Sequence, residues 1–220
     1  VGVANPHVAI GTSALAVSVN AFANFVNHLR RGNVKWRCAV VFAAAGVIGA
    51  ALGASVGKNT DADVRLPLFA VLMIVVGVAM LLQRKHEGDG DVVLNAKNAP
   101  KLIGYGFGVG ALSGFFGIGG GFLIVPGLIG ATGMTMIQAI GSSLFSVGSF
   151  GATTAASYAV DGLIDWRIAL LFIGGGIIGG AIGASFATHL SKQRGALQRV
   201  FAGVVFAVAA YMLYRSLISH

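Results

Sequence analysis

Apolar residues in this chain come in long runs separated by short polar connectors. A helix that crosses a bilayer needs about 20 mostly apolar residues. That length predicts spans over about residues 8–28, 36–57, 67–82, 135–159, 164–190 and 200–217. A further apolar region, about residues 102–130, contains Gly114-Phe-Phe-Gly-Ile-Gly-Gly-Gly-Phe-Leu-Ile-Val-Pro126. This stretch is too apolar for a solvated loop and too rich in glycine for an unbroken helix. Inside a membrane it reads as a broken helix, with freed backbone groups facing a protected cavity. The pattern as a whole predicts an all-α polytopic membrane protein with about seven membrane segments. Residues 1–84 and 101–220 form two units, and the polar stretch 85–100 links them.

The second unit repeats the first. At an offset of 130, Ala9-Ile10-Gly11 matches Ala139-Ile140-Gly141, and Ser13 matches Ser143. Gly32 matches Gly162, and Trp36-Arg37 matches Trp166-Arg167. Gly46, Gly49, Gly53, Ala54 and Ser55 match Gly176, Gly179, Gly183, Ala184 and Ser185. Chance similarity between Ala/Gly-rich helices does not produce matched Trp-Arg pairs in one ungapped register. A duplicated four-helix repeat is therefore expected, with its site at the repeat interface. The glycine-broken segment has no copy in the first unit, so the duplication predicts an apolar, glycine-broken segment upstream of Val1. If residues 102–130 cross the membrane once, the repeats are parallel; if they turn back, the repeats are inverted. Lys and Arg leave five residues outside in the parallel case and four in the inverted case, which barely favours inversion. In both, the loops at Arg30–Arg37 and Arg84–Lys101 are cytoplasmic.

Composition agrees with the pattern. Only 10% of residues are charged and mean hydropathy is +0.84, whereas soluble domains carry about 25% charged residues. The net charge of +8 resides in connectors. It reads as a topology signal and excludes a nucleic-acid groove. The lone Cys38 excludes an intramolecular disulfide. No charged leader precedes a short apolar core at the start of the sequence.

Several motifs fail. Gly53-Ala-Ser-Val-Gly57-Lys58-Asn59 is one residue short of a phosphate loop, and Asn stands where a hydroxyl is needed. Gly104 to Gly110 lacks the strand–turn–helix setting of a dinucleotide fingerprint. The five histidines are scattered near segment ends, so no metal site or cofactor is expected. All seven acidic residues fall in connectors, which leaves no intramembrane Ser/His/Asp set and argues against an enzyme.

The same absence points to mechanism. A substrate at mid-membrane meets hydroxyls, amides and backbone dipoles, and these favour an anion. Gly119, Gly120 and Gly121 are candidates to expose a half-helix N-terminus. Two matched donor sets accompany it: Thr12 and Ser13 with Asn20 and Asn24, and Ser142 and Ser143 with Ser146 and Ser149. The alternative is that these polar residues join helices, at about 0.6–2 kcal/mol each.

Three segments together resemble the sulfite exporter TauE/SafE family of membrane transporters: Gly117-Ile-Gly-Gly-Gly-Phe-Leu-Ile-Val-Pro126, Ala139-Ile-Gly-Ser-Ser-Leu144, and Gly162 through Trp166-Arg167 to Gly183-Ala184. The resemblance covers nearly the whole chain. It implies a duplicated four-helix unit in the bacterial cytoplasmic membrane. It also implies movement of small sulfur-containing anions or related organic acids, such as sulfite, thiosulfate or sulfonates. A secondary transporter is the first expectation. A passive anion channel and a non-transporting membrane scaffold are the alternatives.

Overall fold

The computed structural model describes residues 6–58, 62–82, 92, 94–95, 98–116, 121–191 and 195–218. Among them the chain forms eight α-helices: α1 Pro6–Arg30, α2 Trp36–Lys58, α3 Ala62–Leu82, α4 Ala99–Phe116, α5 Gly121–Thr132, α6 Met136–Val160, α7 Trp166–Ser191 and α8 Ala196–Ile218. Six of the predicted spans return as single helices, and the glycine-rich region returns as the pair α4 and α5. Most of the expected linker, residues 85–100, lies outside the described residues.

The turns after α1 and α6 are built alike. Gly32 (φ +71) and Gly162 (φ +69) adopt the left-handed conformation that glycine tolerates best. Asn33 N–H then bonds His28 C=O at 3.0 Å, and Leu163 N–H bonds Tyr158 C=O at 2.9 Å. These are matching Schellman-type caps. Each turn delivers an exposed tryptophan, Trp36 or Trp166, to the start of the next helix. Tryptophan favours the membrane–water boundary.

α1 and α6 pack against each other in opposite directions. Gly11 lies against Leu163 C=O and Tyr158, while Gly141 lies against Asn33 C=O and His28. These contacts exchange under the 130-residue offset. At the crossing, the Ser18 hydroxyl donates to Gly148 C=O at 2.9 Å, between residues that are themselves 130 apart. Matched positions thus meet each other, as they do on a two-fold axis. α3 and α8 pair in the same antiparallel sense, with Gly77 under the Phe206 ring and Phe69, Met73, Val205 and Ala209 buried together. The bundle therefore has inter-helix symmetry, with α1 and α6 exchanging equivalent contacts. α1 ends, α2 starts and α4 starts on the Arg30–Arg37 side, and Trp166 lies on the opposite side.

The most extensive helix contact is between α2 and α4. It runs parallel and is made of backbone. Gly49 faces Phe107 C=O, Gly53 faces Ala111 C=O, Gly110 faces Gly46 and Gly114 faces Ala50. Glycine every fourth residue removes the side chains that would hold the two axes apart. α5 then returns along α4, with Gly127 against Val109 and Gly130 against the Tyr105 ring. α5 has 12 residues, which at 1.5 Å per residue is about 18 Å. That is too short for a hydrocarbon core of about 30 Å. α5 accordingly does not cross on its own but lies back along α4. Large apolar side chains cover the outside of the bundle, among them Ile48, Leu52, Leu171, Ile178 and Phe186.

A Cβ at Gly53 would overlap the Ala111 backbone, whereas one at Gly104 meets nothing within 4 Å. Gly53→Leu is expected to lower thermal stability by at least the ~1–3 kcal/mol of ordinary overpacking. Gly104→Leu should leave it unchanged. Thermal unfolding of the detergent-solubilised protein measures both, and equal melting temperatures would contradict the backbone contact.

Candidate substrate site

The polar positions singled out in the sequence divide into three places. Thr12 and Ser142 are buried at opposite ends of the bundle, as antiparallel α1 and α6 require. The Thr12 hydroxyl oxygen accepts from Asp165 N–H at 2.9 Å. The Ser142 oxygen accepts from Lys35 N–H at 2.9 Å. These two bonds are again a matched pair. Each hydroxyl holds the loop of the other unit just before its next helix. Ser13 lies on the exposed side of α1, whereas its match Ser143 is buried.

Asn20 and Asn24 lie between α1 and α7. Asn20 sits over Gly176 and Asn24 over Gly180, so close that a Cβ at either glycine would overlap the amide. The amides and the glycines share an i, i+4 spacing, and each amide fills one vacated side-chain position. Asn20 Nδ2–H donates to Phe172 C=O at 3.1 Å, and Asn24 Nδ2–H donates to Asn20 C=O at 2.9 Å. Asn20 Oδ1 is buried with no hydrogen-bond partner. In the other unit the match of Asn20 is Phe150, whose ring sits on Gly46. The symmetry is thus broken from amide to aromatic at one equivalent seat.

Ser143 and Ser146 are in the middle of α6, where the third element arrives. Gly121, the first residue of α5, packs on Val147. Val147 neighbours Gly148, so α5 starts level with the point where α1 and α6 cross. Gly119 and Gly120 lie outside the described residues. The first N–H groups of a helix have no intrahelical acceptor, and its N-terminus carries about half a positive charge. No acidic residue occupies the first turn of α5. Ser143, one turn before Val147, is buried, and its hydroxyl donates to Ile140 C=O at 2.8 Å. Ser146 is fully buried and its hydroxyl has no partner. The Ser149 hydroxyl donates to Phe145 C=O at 2.8 Å. Pro126 inside α5 has no N–H to offer the Phe122 carbonyl one turn back.

Sequence reasoning missed the aromatic wall around this break. Phe69 of α3 stacks near Phe116 (5.3 Å between centroids) and edge-on to Phe122 (5.4 Å), and Phe115 meets Phe116 at 4.9 Å. Phe115, Phe116 and Phe122 flank the glycines in sequence and were visible there. Phe69 arrives from a distant helix, and no local signal announces it. Among the described residues, no group of three or more His, Cys, Asp or Glu is placed to hold a metal ion. The site's chemistry is that of neutral donors and a helix dipole inside an apolar wall, suited to a desolvated anion.

Comparison with known proteins agrees with the motif reading. The family described as "Sulfite exporter TauE/SafE" matches residues 1–212. A "Probable membrane transporter protein" of Xylella fastidiosa (strain 9a5c) is 51% identical over 219 residues, covering 98% of this chain and 83% of the relative. "Probable membrane transporter protein YunE" of Bacillus subtilis (strain 168) is 25% identical, covering 97% of this chain and 83% of that protein. No solved structure matches significantly.

Thr12→Val and Ser142→Ala each leave a half-buried loop N–H without its protein acceptor, which costs up to about 1–3 kcal/mol. Both variants should melt at lower temperature than the parent, and by similar amounts because the bonds are equivalent. Thermal unfolding checks this, and unchanged melting would mean the two hydroxyls do not hold the loops.

Proposed function

This chain belongs to the sulfite exporter TauE/SafE family of bacterial membrane transporters, and from that premise we propose a secondary transporter for a small sulfur-containing anion or related organic acid. Sulfite, thiosulfate and organosulfonates are the substrate class, and the cytoplasmic membrane is the setting. Two observations carry the proposal: α5 starts against Val147 at the middle of the bundle, and Ser146, the preceding residue of α6, has a buried, unpartnered hydroxyl. A half-helix N-terminus and a hydroxyl donor supply what an anion loses when it leaves water. Gly121 starts α5 against Val147, and Ser143 and Ser146 flank Val147 on α6; Gly119 and Gly120 belong to the proposed site by their sequence alone. Asn20 and Asn24 line the symmetry-related flank. Thr12 and Ser142 hold loops, and we assign them a supporting role.

The repeat reading belongs to the same proposal. Units 1–84 and 101–220 are inverted copies of a four-helix design, and alternating access occurs by movement of one against the other. Inverted symmetry supports this, because the same contacts re-form with the roles of the units exchanged. The absence of acidic residues from the apolar runs of the sequence argues against coupling through a buried carboxylate. A passive channel shares these features, and saturable uptake with counterflow distinguishes the carrier from it.

Ser146→Ala is expected to reduce sulfite uptake into proteoliposomes by roughly tenfold, about the worth of one hydrogen bond to a charged group. It should insert and melt like the parent, because Ser146 has no protein partner to lose. Undiminished uptake with both Ser146→Ala and Ser143→Ala would remove the site from the middle of α6.

A further inference from the structure

Two loops of this bundle share a backbone tether and carry opposite charge. The Ser142 oxygen of α6 accepts from Lys35 N–H at 2.9 Å, and the Thr12 oxygen of α1 accepts from Asp165 N–H at 2.9 Å. Lys35 and Asp165 are both half-buried, and each precedes an exposed tryptophan that starts the next helix. Lys35 matches Asp165 at the 130-residue offset, and Arg31 matches Asp161 in the same way. Residues 30–37 thus carry Arg30, Arg31, Lys35 and Arg37, whereas their match, 160–167, carries Asp161, Asp165 and Arg167. Topology does not require this exchange, because acidic residues contribute little to the orientation of a chain. Helix stability accounts for only part of it. The Asp165 carboxylate accepts from Arg167 N–H and Ile168 N–H, both at 3.0 Å, and caps α7. Asp161 stands at the C-cap of α6, where the helix dipole disfavours an acid.

Depth brings Lys35 close to the candidate site. Ser142 and Ser146 are four residues apart on α6, which puts them on one face and about 6 Å apart along the axis. The backbone of Lys35 is therefore held one helical turn from the buried, unpartnered Ser146 hydroxyl. At the other end, the residue one turn from Thr12 is Ala16, which is buried and offers no donor. Arg31 is engaged elsewhere, since its guanidinium donates to Ser185 and Thr188 of α7 at 3.3 and 3.4 Å. We propose that Lys35 is a specificity-determining residue, whose ammonium draws the anion toward Ser146 from the Arg30–Arg37 face while Asp165 repels it from the opposite face. The inference rests on the anion-transport reading above. A cleft lined by cations raises the local concentration of an anion, and one lined by acids lowers it. The two faces of the transporter accordingly differ in KM for the same anion.

Right-side-out and inside-out membrane vesicles carrying the complete protein test this, with sulfite and thiosulfate uptake measured from each face. The parent should show a KM roughly tenfold lower where the Arg30–Arg37 loop is exposed, and added salt should narrow the difference. Lys35→Gln should raise that KM roughly tenfold, with little change in kcat and none in the KM of the opposite face. Lys35→Arg should restore the parent value. Asp165→Asn keeps an acceptor for the α7 cap and should lower the KM of the opposite face. Equal KM values for the parent and Lys35→Gln would overturn the inference and leave the transport reading standing. A Lys35→Gln protein that changes only in yield or inserted orientation would also overturn it, in favour of a topology signal. No saturable uptake by the parent from either face would overturn both.

Discussion

Two helices can touch backbone to backbone only where side chains are missing, and that constraint organises this bundle. The α2–α4 contact depends on it, since Gly49, Gly53, Gly110 and Gly114 each occupy a place where a Cβ would strike the opposite helix. With α4 held so closely, the return helix α5 can pack on its Val109 and Tyr105 side chains and reach α6 at Val147. The position of the α5 N-terminus is therefore a consequence of glycine spacing two helices away. Without a hydrophobic drive between helices in lipid, such packing and a few interhelical hydrogen bonds supply the specificity.

The antiparallel pairing of α1 and α6 turns a sequence duplication into a two-fold arrangement. Each unit caps the other through one hydroxyl, Thr12 on Asp165 N–H and Ser142 on Lys35 N–H. The exchange makes the units interdependent, so neither loop is fixed until both helices are in place. Two of the matched positions at which the units differ carry a polar side chain. Asn20 replaces the Phe150 counterpart, and Ser146 replaces the buried Ala16 counterpart. Phe69, Phe116 and Phe122 pack together at the two ends of the glycine break, and an apolar wall strengthens any dipole aimed at a charge.

Much of this was legible in the sequence for identifiable reasons. Helix positions follow from the length of apolar runs, and the duplication follows from matched Trp-Arg pairs. The glycine break was suggested by the density of glycine from Gly114 to Gly121, although a Gly-Gly-Gly run alone does not break a helix, since α7 carries Gly174-Gly175-Gly176 without interruption. Its direction was not visible, because Lys and Arg counts differ by one between the two topologies. Contacts such as Gly127 on Val109, which lay α5 back along α4, are long-range and leave no local signal. The roles of Thr12 and Ser142 were also hidden. A hydroxyl on an apolar helix looks the same whether it faces a solute or a loop amide, and antiparallel packing is what separates the two at opposite ends. Asn20 and Asn24 carried a signal that only pairing reveals, since their spacing equals that of Gly176 and Gly180.

The central claim is that an anion binds where α5 starts beside Ser146. A ligand that binds the folded protein raises its melting temperature, and the rise grows with the logarithm of ligand concentration above Kd. Thermal unfolding of the complete protein with sulfite, thiosulfate, small sulfonates and, as a size control, sulfate measures that directly. The account predicts a concentration-dependent rise with at least one sulfur-containing anion, and a smaller rise in Ser146→Ala. No rise with any of them, or an equal rise in Ser146→Ala, would contradict it.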